Sequence, residues 1–362
     1  MQQHDIVRRA LRQLPDLEDL DARLDREGFD ALLASIDGGR PDTPRGVDRG
    51  EPAHHSSPRV SPEVEQERER LLAAGRRAIV LLRDQRERAT LTRDEQVGLE
   101  AIIRLTARPA ILIQDGRFLP PPPEWAILDE PDTRAAIERT ATAVGRIEVD
   151  GHPSLDWIGT GFLVADDVVM TNRHVAMEFA EMAGRSWRIR ERMKVRLDYM
   201  EELGATRSAE FAVRDIIGVH PRHDLALLGV SRRGSRGARR PTPLPLAARP
   251  TLRTGRKVYV IGYPAADSRR NDPEEMRRIF ANIYDVKRLQ PGETLGVQRA
   301  RVTLTHDCST LGGNSGSSVV DLETHQVVGL HFGGRYGEAN LAVLLSALAD
   351  DPLVRRAGVE FA

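Results

Sequence analysis

The run Thr310-Leu311-Gly312-Gly313-Asn314-Ser315-Gly316-Ser317 sets a serine in a glycine-rich tight turn that can expose its hydroxyl. A serine alone is a poor nucleophile. Attack on an amide needs a base to take the hydroxyl proton, a third group to orient that base, and backbone N–H donors for the oxyanion. The chain carries a candidate for each. Thr171-Asn172-Arg173-His174-Val175 follows an apolar run and offers His174 as the base, and His223-Asp224-Leu225-Ala226-Leu227-Leu228 puts the Asp224 carboxylate just before another apolar run. In the order His174, Asp224, Ser315 the gaps are 50 and 91 residues. They suit a base and its orienter on one β-barrel and the nucleophile on a second, with the site in the crevice between. The turn puts the N–H groups of Gly313 and Ser315 on one side, facing a developing oxyanion. The bland reading is a chance coincidence of a glycine-rich turn, a buried histidine and a strand-edge aspartate.

Four segments in order resemble the chymotrypsin-fold serine peptidases, in particular the bacterial branch that includes the glutamyl endopeptidases. They are Gly159-Thr160-Gly161-Phe162-Leu163-Val164 ahead of the His174 motif, the Asp224 motif, Gly262-Tyr263-Pro264, and the Ser315 turn followed by Val328-Gly329-Leu330-His331-Phe332-Gly333-Gly334. The resemblance covers roughly residues 130–352. It implies a serine endopeptidase with the triad His174, Asp224 and Ser315, an oxyanion hole at Gly313 and Ser315, a protein or peptide substrate, and no metal or other cofactor. The other class in view is a noncatalytic binding or scaffold protein on the same fold.

The resemblance also bears on specificity and activation. The trypsin branch has an aspartate six residues before the nucleophile to bind basic P1 side chains, and here that position is Ser309. Thr310 and His331 match positions that line an acidic-side-chain pocket in the glutamyl endopeptidases, although the same segment could merely shape a pocket wall. Asn314 stands where the trypsin branch has the aspartate that pairs with a newly freed amino terminus. Either the preceding region is cleaved away or another mechanism organises the site.

The chain's 362 residues can hold two or three domains with real cores. Lys and Arg number 53 against 54 Asp and Glu, so net charge gives no reason to expect nucleic acid or an anionic membrane as partner. Cys308 is the only cysteine, which excludes an intrachain disulfide and fits a reducing compartment. Met1 to Leu14 has no apolar run of signal-peptide length, and no segment approaches the roughly twenty apolar residues of a membrane span. A cytoplasmic location is expected.

Composition divides the chain into 1–36, a small helical unit that could recruit a protein partner; 37–60, a Gly-, Pro- and charge-rich linker; 61–125, a helical hairpin with a short β-hairpin and the Pro120–Pro123 spacer; and 126–362, the peptidase. Residues 1–125 would regulate or recruit it. Ser61-Pro62 reads as a helix start and Thr92-Arg93-Asp94-Glu95 as a capping box, while Asp115-Gly116 marks a hairpin turn. From Ala143 on, short strands have the spacing of antiparallel barrels, and the resemblance implies an all-β double six-stranded antiparallel barrel, chymotrypsin-like, behind an α-helical N-terminal region. Val297–Leu304 reads as one strand and Leu341–Leu348 as the start of a closing helix. The arginine-rich stretch 231–240 reads as a solvated loop between barrels, since no aromatic residue interleaves with its charges.

Overall fold

A threonine followed three residues later by glutamate closes a helix start reciprocally. In the computed structural model Thr92 Oγ1 accepts the Glu95 N–H at 3.3 Å while Glu95 Oε2 accepts the Thr92 N–H at 2.8 Å. The structure describes residues 7–8, 10–11, 14, 16–26, 62–265, 283–335 and 339–362. The proposed linker 37–60, Ser61 and His54-His55 lie outside them. Contacts divide the chain into two units meeting at Ala107 and Arg108.

The first unit is helical. It contains α1 (Leu17–Arg26), α2 (Pro62–Gln85) and α3 (Arg93–Thr106). Apolar residues at helical spacing, among them Leu17, Leu20, Ile79, Leu82, Leu99 and Ile102, share one buried cluster with Val7, Ala10 and Leu14. The buried Asp21 of α1 takes Arg83 Nη1 of α2 at 2.7 Å. The described helices of the regions read as 1–36 and 61–125 therefore share a core.

The second unit opens with the hairpin β1 (Ile111–Gln114) and β2 (Arg117–Phe118), turned by Asp115 and Gly116, both at positive φ. α4 (Pro131–Thr142) leads into the first barrel, made of β3 (Val144–Asp150), β4 (Trp157–Ala165), β5 (Val168–Thr171), β8 (Lys194–Asp198), β9 (Glu210–Val219) and β10 (Ala226–Val230). These close in the order β10-β5-β4-β3-β8-β9. A two-stranded ribbon, β6 (Ala180–Ala183) with β7 (Ser186–Ile189), and the short helix α5 (Arg173–Met177) are inserted after β5. The turn between β4 and β5 ties down part of the arginine-rich loop: Asp167 meets Arg232 at 3.1 Å and Asp166 meets Arg240 at 3.5 Å.

The second barrel contains β11 (Lys257–Gly262), β12 (Arg288–Gln298), β13 (Thr303–His306), β14 (Ser318–Asp321), β15 (Val327–Arg335) and β16 (Ala339–Leu344). Its order is β11-β14-β15-β16-β13-β12, closed by pairing of β11 with β12. The double antiparallel barrel behind a helical region is as the sequence predicts. Two local expectations are corrected. Val297–Leu304 spans the end of β12, a turn at Arg299–Arg301 and the start of β13, and Leu341–Leu348 is strand β16 followed by a 3-10 turn, with the closing helix α6 at Pro352–Arg356. The apolar run Leu341–Leu345 has no period by which strand and helix could be told apart, whereas Val297–Leu304 is interrupted by the exposed residues Gln298–Arg301.

Pairing also places the first hairpin. Ile111 and Leu112 of β1 lie opposite Leu289 and Arg288 of β12, Leu203 N donates to Ile113 O at 3.1 Å, and the Arg288 guanidinium donates to Ala110 O. Residues 108–118 thus belong to the barrel unit. Composition put the boundary near 125 because edge pairing across some 175 residues leaves no local trace.

Candidate active site

β5 and β10 pair with Thr171 opposite Ala226, so the chain leaving one strand and the chain entering the other run side by side. That register delivers His174 and Asp224 to one another. Three bonds stitch the two connections: Asn172 Nδ2 to Asp224 O at 3.0 Å, Arg173 Nη1 to Pro221 O at 2.8 Å, and His174 N to Asp224 Oδ1 at 2.9 Å. The imidazole completes the set, with Nδ1 2.6 Å from Asp224 Oδ2. A carboxylate accepts, so Nδ1 is the ring nitrogen that donates, and in the neutral imidazole that leaves the Nε2 lone pair free. The His174 side chain is half exposed.

The Asp224 loop has a second support. Buried His220 accepts the N–H groups of Arg222 and His223 on Nδ1, at 3.1 and 2.8 Å, and its Nε2 reaches Asp351 Oδ2 at 3.2 Å. Asp351 also caps α6.

The serine turn is held at the seam of the barrels by β4. Thr160 N donates to Ser315 O at 2.8 Å, and Thr160 Oγ1 donates to Gly313 O at 2.8 Å. Gly316 stands at φ 91°, and a Cβ there would strike Thr160 O and stand 2.5 Å from Thr171 Oγ1. Glycine is the residue that fits. On the other side Gly316 N donates to His331 O and His331 N to Ser317 O, both at 2.9 Å. Gly159 ties the serine turn to the histidine helix, because a Cβ there would lie 2.9 Å from Ser315 O and 3.0 Å from a methyl of Val175. The loop residue Ser315 and the neighbour of His174 therefore touch one point on β4.

The amides of the turn divide into used and unused. Asn314 N donates to Leu311 O, Gly316 N to His331 O and Ser317 N to Asn314 O. Among the described residues the N–H groups of Gly313 and Ser315 have no acceptor. Gly313 lies at φ 82° beside the Trp157 ring, which the sequence reading did not single out.

Thr310 is half-buried and His331 is buried. His331 Nδ1 lies 3.2 Å from Nε2 of His306, another buried histidine that carries no motif in the sequence. Burial, with the neighbouring His306 and His174, holds His331 well below the ordinary imidazole range, and burial pushes His306 down to about 3. Both rings are neutral. Ser309 spends its hydroxyl on Arg108 O at 2.6 Å, and Arg108 in turn donates to Asp307 at 2.8 Å.

The family model described as a trypsin-like peptidase domain matches residues 159–330. A probable serine protease of Lysobacter enzymogenes is 31% identical over 315 residues, covering 77% of this chain and 80% of that protein. Serine protease Rv3671c of Mycobacterium tuberculosis is 27% identical over 288 residues, 78% of this chain and 62% of its own length. A glutamyl endopeptidase of Staphylococcus epidermidis is 26% identical over 190 residues, 52% of this chain and 58% of that one. Among solved structures, the active form of the Rv3671c protease covers 65% of this chain and 87% of its own at 22% identity, with a TM-score of 0.41.

Proposed function

Because this chain belongs to the trypsin-like serine peptidases and is a serine endopeptidase, we propose that Ser315, His174 and Asp224 carry out its peptide hydrolysis. Ser315 Oγ attacks the scissile carbonyl as His174 Nε2 takes its proton, and the same proton passes to the departing amine. Water then repeats the cycle on the acyl-enzyme, with His174 again as base. Asp224 keeps the imidazole in the tautomer whose Nε2 can accept and stabilises the imidazolium. The N–H groups of Gly313 and Ser315 hold the oxyanion, each worth about 10²–10³ in turnover. The observation that carries this reading is the double hold of Asp224 on His174, at the main-chain N–H and at Nδ1.

A fluorophosphonate probe tests it. Wild-type protein is expected to be labelled and Ser315→Ala to remain unlabelled; an unlabelled wild type that also cleaves no peptide library would make the chain a noncatalytic scaffold on this fold.

Preference for acidic P1 side chains follows from the two histidines. If His306 Nε2–H donates to His331 Nδ1, the buried His306 Nδ1, which has no partner among the described residues, is a bare acceptor and not a stranded N–H. His331 then carries its proton on Nε2, the donor that this reading assigns, together with the Thr310 hydroxyl, to a substrate carboxylate. Cleavage profiling of a peptide library checks this, with enrichment of Glu or Asp at P1 as the expected result.

The N-terminal region, expected at 1–125, regulates or recruits the peptidase in this reading, supported by its described helices α1, α2 and α3 falling in a contact unit separate from the barrels. The reading also places the chain in a reducing compartment, supported by its single cysteine, Cys308, which is buried.

A further inference from the structure

The residue before the nucleophile is an uncharged Asn314, fully buried, so whatever fixes the serine turn from beneath is not an ion pair. Its side chain is nonetheless fully engaged. Asn314 Oδ1 accepts from Gln290 Nε2 at 2.9 Å and from Ser317 Oγ at 3.5 Å, while Asn314 Nδ2 donates to Gln290 Oε1 at 3.3 Å and to Leu311 O at 3.4 Å. A carboxamide has two donor hydrogens and two acceptor lone pairs, so all four capacities are used. Turning either amide alone would bring oxygen against oxygen and nitrogen against nitrogen, so the pair fixes both orientations.

Gln290 is itself held in a barrel strand. It sits on β12 opposite Val260 of β11, wholly buried. The slot into which Asn314 fits is bounded by Gly262, where a Cβ would stand 2.5 Å from Asn314 Oδ1 and collide with Ser317 Oγ. A rigid barrel wall thus grips the one side chain that lies between the two unused N–H groups. Anchoring Asn314 sets its Cα, from which the 314–315 peptide and the Ser315 N–H are directed. The bonds from Asn314 N and Nδ2 to Leu311 O close the turn that contains the Gly313 N–H.

We propose that Gln290 is the positioning residue of the oxyanion turn, and that the Gln290–Asn314 amide pair forms the site in the uncut chain without any freed amino terminus. The inference deepens the peptidase reading and rests on it. A buried carboxylate at 314 would require a cation to be delivered to it, whereas a carboxamide requires only hydrogen bonds that the fold supplies at once. Activation by a proteolytic cut is then unnecessary for geometry, which leaves residues 1–107 free to act by recruitment or by steric control.

The test uses the full-length chain. Intact-mass measurement of fluorophosphonate-labelled wild type is expected to show the probe on the uncut mass; label found only on a shortened chain would overturn the proposal. Gln290→Leu, close in volume and unable to hydrogen-bond, is expected to lower kcat by about 10²–10³ with KM within about threefold, and to slow labelling in parallel. Gln290→Glu restores both bonds to Asn314 only while its buried carboxyl is protonated, so an intermediate loss that deepens as pH rises is expected. A melting curve shows whether each variant is folded at assay temperature, and if Gln290→Leu is not, Gln290→Glu decides alone. A folded variant with wild-type kcat, or one whose whole defect lies in KM, would refute the positioning role. Wild type that neither labels nor cleaves would fail differently, by removing the peptidase reading itself.

Discussion

Asp224 receives two hydrogens from the same histidine, one from the main chain and one from the ring. Replacing it with asparagine offers an amide NH₂ where an acceptor is needed, which favours the wrong imidazole tautomer. Asp224→Asn is expected to reduce kcat by about 10⁴ with little change in KM, read by steady-state kinetics; a loss below tenfold would remove the residue from its role. The neutral histidines make a separate prediction about stability. His306 protonates in the folded protein only near pH 3 but in the unfolded chain near 6.5, so the unfolded state takes up the proton first as pH falls. Its contribution is complete above about pH 6.5 and is lost progressively as pH falls below that, and His331, also lowered, adds in the same direction. His306→Gln does not titrate and should flatten the fall in unfolding free energy between pH 7 and 5; an unchanged slope would assign the acid sensitivity elsewhere. The His174–Asp224 contact was legible because each residue sits in a short stretch next to an apolar strand. Gln290 and His306 were not, since a lone glutamine or histidine on a strand gains meaning only from a partner 24 or 25 residues away.

Elements with local punctuation were readable in the same way. The capping box at Thr92 and the turn at Asp115-Gly116 each close within a few residues, and the structure has both. β12 had no such mark, because Pro291 and Gly292 interrupt it and argue against a strand. It is nevertheless the strand on which β1, β11 and β13 all pair and from which Gln290 projects. Long-range pairing overrode the local signal. The β1–β2 hairpin matters for any shortened chain. Starting the protein at Arg108 keeps Ala110 O under the Arg288 guanidinium and Arg108 O under Ser309 Oγ, whereas starting at Leu128 removes both. Melting temperature and kcat of the two truncations should separate, with the longer one folded and the shorter destabilised by several degrees or more; coincident melting curves would show that the hairpin is dispensable to the barrel.

At the scale of the whole molecule, short strands gave the spacing of antiparallel barrels, and the ordered motifs that resemble the chymotrypsin-fold peptidases supplied the pairing of two of them. The division into units was harder to read. Apolar stripes show which face of a helix is buried but not against what, so the shared core of Leu17, Ile79 and Leu99 could not be foreseen from spacing. The position of β1 has a further consequence for the fate of the protein in a cell. It covers one backbone margin of β12 at Arg288 and Leu289. A protease that trimmed the chain past Gln114 would bare those amides and carbonyls to other chains, turning the trimmed product into a template for strand addition and clumping.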